Sequence, residues 1–378
     1  MKSGLTQNRR EQGKKVTKKI GYLIGAALLL CAGAASAEDK VLNVYNWTDL
    51  IGSTTIADFS KATGIKVNYD TYDGDETLEA KLLAGSTGYD IVVPSGTFVA
   101  HEVKAGLFKE LDKSKIPNWK NQDPGLLKMI EASDPGNKHG IIYDWGTTGL
   151  GINVDKVQQR LPGVKLDTYD LLFKPEYASK LKDCGITLVD SPADVVPIIL
   201  HYLGLNPASE NMDDLKKAQA VLMGIRPYLK YVNSSSYLND MASGDVCIAL
   251  AWSGDVTIAS KRATEAKNGV KLQYVVPKEG TVSWFGFMAI PADAPHPDAA
   301  YAFLNHILDP KVAADFTNTV SYGNGVPASA EFLSPAYATD HSIFPSEEDK
   351  ARLFPTPTAS EKFSRERTRV WTSFKTGM

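Results

Sequence analysis

Short apolar runs alternate with helix-period segments along most of this chain, and that alternation constrains its fold more than any other feature. Val41-Leu42-Asn43-Val44-Tyr45 reads as a strand, Thr54 to Ala62 as a helix stopped near Gly64, and Ile65-Lys66-Val67-Asn68-Tyr69 as the next strand. Glu76 to Ala84 follows as a helix with Leu78, Leu82 and Leu83 on one side, then Tyr89-Asp90-Ile91-Val92-Val93 as a nearly continuous apolar strand ending at Pro94-Ser95-Gly96. Apolar strands interleaved with amphipathic helices indicate an α/β fold with a parallel sheet. The pattern restarts later: Gly185-Ile186-Thr187-Leu188-Val189 precedes a helix from Pro192, and Asp245 to Ala251 precedes one ending at Asn268-Gly269.

The N-terminus sets the compartment. Lys2, Arg9, Arg10, Lys14, Lys15, Lys18 and Lys19 stand against a single Glu11, an apolar run follows from Ile20 to Cys31, and small residues end at Ala35-Ser36-Ala37. This is the pattern of a secretory signal peptide over residues 1–37, with cleavage after Ala37 and export to the periplasm. The run is shorter than the ~20 residues a membrane span needs, and no later stretch replaces it. Polar Glu11-Gln12-Gly13 after Arg9-Arg10 fits a twin-arginine signal poorly, and Leu30 is bulky for a lipoprotein signal at Cys31.

Seven of the 41 Lys+Arg and one of the 44 Asp+Glu lie in that segment, so the mature chain has a formal charge of −9. An acidic surface disfavours nucleic acid and anionic membrane and draws in small cations, although an acid excess also serves solubility alone. Cys184 and Cys247 are the cysteines left, either as one disulfide or as two buried thiols. The six histidines are scattered without metal-ligand spacing, no P-loop is present, and no metal or other cofactor is implied.

A mature chain of this length calls for two domains, and no low-complexity linker separates them. In open α/β sheets ligands bind beyond the carboxyl ends of strands. Polar and aromatic residues cluster there: Asn46-Trp47-Thr48-Asp49, Pro94-Ser95-Gly96-Thr97, Asp190-Ser191-Pro192-Ala193-Asp194 and Trp252-Ser253-Gly254-Asp255.

Several longer stretches carry a family resemblance. They are Tyr45 to Asp49, Lys81 to Ser95, Trp145-Gly146-Thr147-Thr148-Gly149-Leu150-Gly151, Asn239 to Asp255, Val276 to Gly280 and Arg367 to Trp371. In this order the chain resembles the periplasmic polyamine-binding proteins of spermidine/putrescine ABC transport, most of all the putrescine-binding members. The resemblance implies a type II periplasmic-binding clamshell, two α/β lobes joined by crossover hinge segments. The expected division is 38–145 plus about 270–322 for the N-terminal lobe, and about 146–269 plus 323–378 for the C-terminal lobe. It also implies a Cys184–Cys247 disulfide, a small amine ligand, permease subunits as partners and a monomer that is not an enzyme.

A polyamine is a methylene chain with ammonium ends, so its burial needs carboxylates at the ends and aromatic walls along the middle. The resemblance implies Trp47 and Trp252 as walls, with Trp284 and Tyr322 alongside, Asp49, Asp194 and Asp255 as acids, and Thr48 and Ser95 as polar contacts. Each has a plainer reading. Asp194 completes a capping-box arrangement with Ser191, Asp255 sits at another helix start, Asp49 suits a turn, and Trp252 suits a core. Trp119, Trp145 and Trp371 lie outside the clusters and read as structural.

The chain also departs from the putrescine pattern, which has an acid where Gly286 stands and a smaller aromatic where Trp284 stands. Asp194 replaces the usual glutamate, and Thr48 stands where serine is common. One pocket end therefore loses a carboxylate and gains bulk, which opens an ω-amino acid or agmatine-like ligand as an alternative. An exported hydrolase would need a nucleophile elbow, and neither Ser95 nor Ser253 lies in one. A metal or siderophore receptor would need clustered histidines or paired tyrosines. A co-receptor for a membrane sensor would use the same fold.

Overall fold

The computed structural model describes residues 40–72 and 74–377. The expected signal peptide and its cleavage site lie outside the described residues.

Among the described residues eleven strands form in chain order: β1 (Val41–Trp47), β2 (Lys66–Tyr72), β3 (Ile91–Val92), β4 (Gly140–Asn153), β5 (Ile186–Leu188), β6 (Tyr231–Val232), β7 (Ile248–Trp252), β8 (Leu272–Val275), β9 (Thr281–Ala289), β10 (Gly323–Asn324) and β11 (Leu353–Pro355). They are ordered β2-β1-β3-β9-β4-β7-β5-β6, with β8 and β10 also on β4 and β11 on β9. Parallel pairing of β1 with β2 and β3, and of β5 with β6 and β7, gives the two α/β units read from the sequence. The expected α/β clamshell architecture is therefore present as two lobes.

The centre is β4, fourteen buried residues long. Its first half pairs antiparallel with β9 and β10, and its second half with β7 and β8. One strand thus belongs to both lobes. β8 pairs with the second half of β4, and β10 with its first half.

Side-chain alternation explains why the first sheet is covered on both faces. Leu42, Val44, Ile91 and Met288 point into one core with Phe59, Phe303 and Phe316. Tyr45, Val92, Phe285 and Phe287 point into the other with Leu78 and Leu82. Leu83, expected beside Leu78 and Leu82, is instead 57% exposed, because it follows the i, i+4 pair by one residue and turns about 100° away. The second lobe has one large core around Ile186, Leu188, Leu250 and the helices Pro192–Tyr202 and Met212–Ile225. Cys184 and Cys247 are joined there in the expected disulfide, linking segments 63 residues apart.

The helix boundaries follow local chemistry. Gly64 ends the helix Thr55–Thr63 in the left-handed region at φ 72°, where a Cβ is penalised. The helix Glu361–Thr376 starts with the Ser360 hydroxyl accepting from Phe363 N–H and packs across the second lobe through Trp371 and Phe374.

Candidate functional site

A cavity of about 610 Å³ opens between the two halves of the sheet. Of the nine residues singled out, Trp47, Thr48, Ser95, Asp194, Trp252, Trp284 and Tyr322 line it. Asp49 and Asp255 do not. Asp49 is exposed in a turn at φ 57°, while Asp255 stands behind Tyr322 and accepts its hydroxyl at 2.8 Å.

The strand ends deliver these side chains. Trp47 ends β1, where its indole N–H donates to Val93 O at 2.9 Å and its ring leans on Tyr72 with centroids 4.8 Å apart. Ser95 precedes the helix Gly96–Lys104; its N–H donates to Asp75 Oδ1 at 2.9 Å, and its hydroxyl donates to the other oxygen of the same carboxylate.

On the second lobe, Asp194 sits in the first turn of the helix Pro192–Tyr202, but Ser191 makes no side-chain cap bond there. The Asp194 carboxylate turns to the cavity instead. Its Oδ2 accepts from Trp252 Nε1 at 3.0 Å and from Thr148 Oγ1 at 3.2 Å, which fixes the Trp252 ring as a wall. Asp255, in the first turn of the helix Ser253–Ala266, accepts from both Tyr237 and Tyr322.

Trp284 lies over Gly146, its β4 partner, and any Cβ at 146 would overlap the indole ring. Its edge meets Tyr322 at 5.2 Å between centroids, and its Nε1 has no acceptor among the described residues. Trp119, Trp145 and Trp371 stay outside the cavity lining, the last two buried and bonded to Asn324 O and Asp190.

Two acids in the lining escaped sequence reading. Asp75 looks like an ordinary first-turn acid of the helix Asp75–Ala84. Asp144 was legible in principle, because a lone carboxylate interrupts Ile141-Ile142-Tyr143 and Trp145 in a buried strand. Thr97, from the cluster after Val93, lines that side too, with Phe98, Met129 and Ser133, which carry no sequence signal of their own.

The electrostatics are one-sided. Asp75, Asp144 and Asp194 line the cavity, and no lysine, arginine or histidine does among the described residues. Burial pushes Asp75 up to about 6 and Asp144 up to about 7, against the usual carboxylate range. It also raises Asp194, although bonds from Trp252 and Thr148 and the field of Arg367 oppose the rise. Behind the lining, Glu102 is fully buried, has no partner for either oxygen among the described residues, and rises to about 8 through burial and the nearby Asp75 and Glu79. Buried carboxylates without counter-charges are costly unless a cation arrives to pair with them. No group of three or more His, Cys, Asp or Glu side chains arranged to hold a metal ion occurs among the described residues.

Two α/β lobes sharing β4 around an acidic, aromatic cavity define a solute receptor. The chain belongs to the family of bacterial extracellular solute-binding proteins, whose pattern it matches over residues 54–345. It is 48% identical over 345 residues to the putrescine-binding periplasmic protein SpuD of Pseudomonas aeruginosa strain UCBPP-PA14, covering 91% of this chain and 94% of that one. It is 46% identical over 359 residues to the putrescine-binding periplasmic protein PotF of Escherichia coli K12, covering 94% and 97%. Among solved structures it resembles the spermidine/putrescine ABC transporter substrate-binding protein PotD of Streptococcus pneumoniae, with a TM-score of 0.77, 30% identity and coverage of 89% and 99%.

Proposed function

We propose that this protein captures a small polyamine of the putrescine class in the periplasm and hands it, as a monomer, to the permease subunits of an ABC importer. The observation that carries the reading is a cavity lined by three carboxylates and three tryptophans, with no lysine, arginine or histidine in the lining among the described residues. Ammonium groups would supply the missing counter-charges, and methylenes would pack on the Trp47, Trp252 and Trp284 rings, each cation–π contact adding about 0.5–2 kcal/mol. The relatives named for putrescine binding support the same ligand class and compartment.

The lobes divide, on this reading, where β4 passes from its β9 and β10 pairs to its β7 and β8 pairs. Residues 272–275 then move with the second lobe and residues 323–326 with the first. Ligand contacts on both sides select the closed form. Asp255 contributes through Tyr322 and Tyr237, and Asp49 follows Thr48, which lines the cavity. An ω-amino acid is the second reading, favoured by the unpaired Trp284 Nε1, a donor to which a carboxylate end is suited.

A thermal-shift and calorimetric panel on the mature protein tests both: putrescine, cadaverine, spermidine, spermine, agmatine, GABA and 5-aminovalerate. Ligand at a hundred times its Kd stabilises by about 2.7 kcal/mol through mass action, well within detection. Putrescine or a close homologue giving the largest shift is the expected result. No shift with any amine removes the functional reading and leaves the fold untouched.

A further inference from the structure

One face of β4 carries an ordered set of groups that Gly286 makes possible. Asp144, Gly146 and Thr148 are two residues apart and so point to the same side of the strand. Asp144 pairs with Gly286, Gly146 with Trp284, and Thr148 with Trp252. Along that face stand a carboxylate at 144, the Trp284 ring laid over 146, and at 148 the hydroxyl that holds the Asp194 carboxylate.

Gly286 is not an empty end of this row. A Cβ there would overlap Asp144 Oδ1, so positions 144 and 286 project into one volume and only one of them can fill it with an acid. Asp144 fills it. The residue is 3% exposed and lines the cavity, and its Oδ1 has no hydrogen-bond partner among the described residues.

We infer that Asp144 is the first-lobe carboxylate that recognises an ammonium group, and that β4 serves as a ruler for a ligand cationic at both ends. The spacing supports this. Four residues of strand advance roughly 13 Å. An extended four-carbon diamine with a charge-assisted hydrogen bond at each end spans roughly 12 Å. The indole of Trp284 lies between the two acids, where the methylenes would run. An ω-amino acid would place its own carboxylate against Asp144 or Asp194, a like-charge contact in a buried site.

This inference rests on the amine-receptor reading, and calorimetry with putrescine and 5-aminovalerate separates the two. Wild-type protein is expected to bind putrescine and to prefer it over 5-aminovalerate. Asp144→Asn is expected to weaken putrescine at least ~30-fold, the cost of removing one member of a buried charge pair. The double variant D144G/G286D, which moves the acid across the strand pair into the same volume, is expected to recover affinity to within about tenfold of wild type. Melting curves establish that each variant is folded, and the double variant provides an independent readout should D144N fold poorly. Putrescine binding equally to wild type and D144N, or preference for 5-aminovalerate, overturns the role of Asp144 while an amine receptor remains. Absence of binding by any amine to the wild type overturns both.

Discussion

At the scale of single residues, the cavity separates acids that line it from acids that hold a wall. Asp255 is of the second kind, since its carboxylate is taken up by Tyr237 and Tyr322. Asp255→Ala should weaken putrescine binding about tenfold by releasing Tyr322, and Tyr322→Phe should reproduce part of that loss, as titration calorimetry would show. Equal affinities for D255A and wild type would remove Asp255 from the site. The pH dependence follows from the raised carboxyls. Asp144 at about 7 and Asp75 at about 6 are protonated below those values, whereas an aliphatic ammonium stays charged to about pH 10. The groups around Asp144 are Tyr72, Tyr143 and Tyr322, all held uncharged by burial, and Glu76 and Glu79 act on Asp75. Putrescine affinity should therefore rise from pH 5.5 to 7.5, with protons released on binding at pH 6. Calorimetry in buffers of different ionisation enthalpy reads that release directly, and D144N should reduce it. Sequence reasoning reached Trp47, Thr48, Ser95, Asp194 and Trp252 because they stand in polar and aromatic clusters after strands, and Trp284 and Tyr322 through the family resemblance alone. It passed over Asp144 because pairing across β4 and β9, not sequence position, places that acid above Gly286.

At the scale of elements, legibility tracked how well a segment obeyed a simple period. β1, β2 and their helices were readable because apolar residues and stop signals coincide there. β4 and β9, the strands that make the site, were not read as strands at all. Gly146, Gly149 and Gly151 break the apolar pattern of β4, and a Cβ at each would crowd a close neighbour: Trp284, Tyr274 and Met241 respectively. Gly146→Ala should therefore displace Trp284 and weaken amine binding more than it lowers the melting temperature; ligand titration beside a melting curve checks this. The disulfide acts at the same scale. It closes a 63-residue separation between the segments leading into β5 and β7, and neither cysteine lines the cavity. Cys184→Ala with Cys247→Ala should cost about 2–4 kcal/mol of stability, measured by denaturant unfolding, with little change in putrescine affinity.

At the scale of the whole molecule, stability and ligand capture should respond to pH in opposite directions. Asp75, Asp144 and Glu102 have folded-state values of about 6, 7 and 8, above the roughly 4 of an unfolded carboxyl. The native state therefore keeps protons that the unfolded chain has already released, and stability declines as pH rises through this window. The sign is opposite to that of a salt-bridged carboxylate, because burial raises these acids and no lysine, arginine or histidine pairs with them among the described residues. Ligand-free protein should melt at a higher temperature at pH 5 than at pH 8, with Glu102→Gln flattening the dependence. Saturating putrescine should change this profile, since an ammonium beside Asp144 stabilises the ionised form and ties the lobes together. The melting-temperature gain from ligand should then be larger at pH 8 than at pH 5. A gain independent of pH would mean that the buried acids are not what holds the amine, and that closure is driven by the aromatic walls alone.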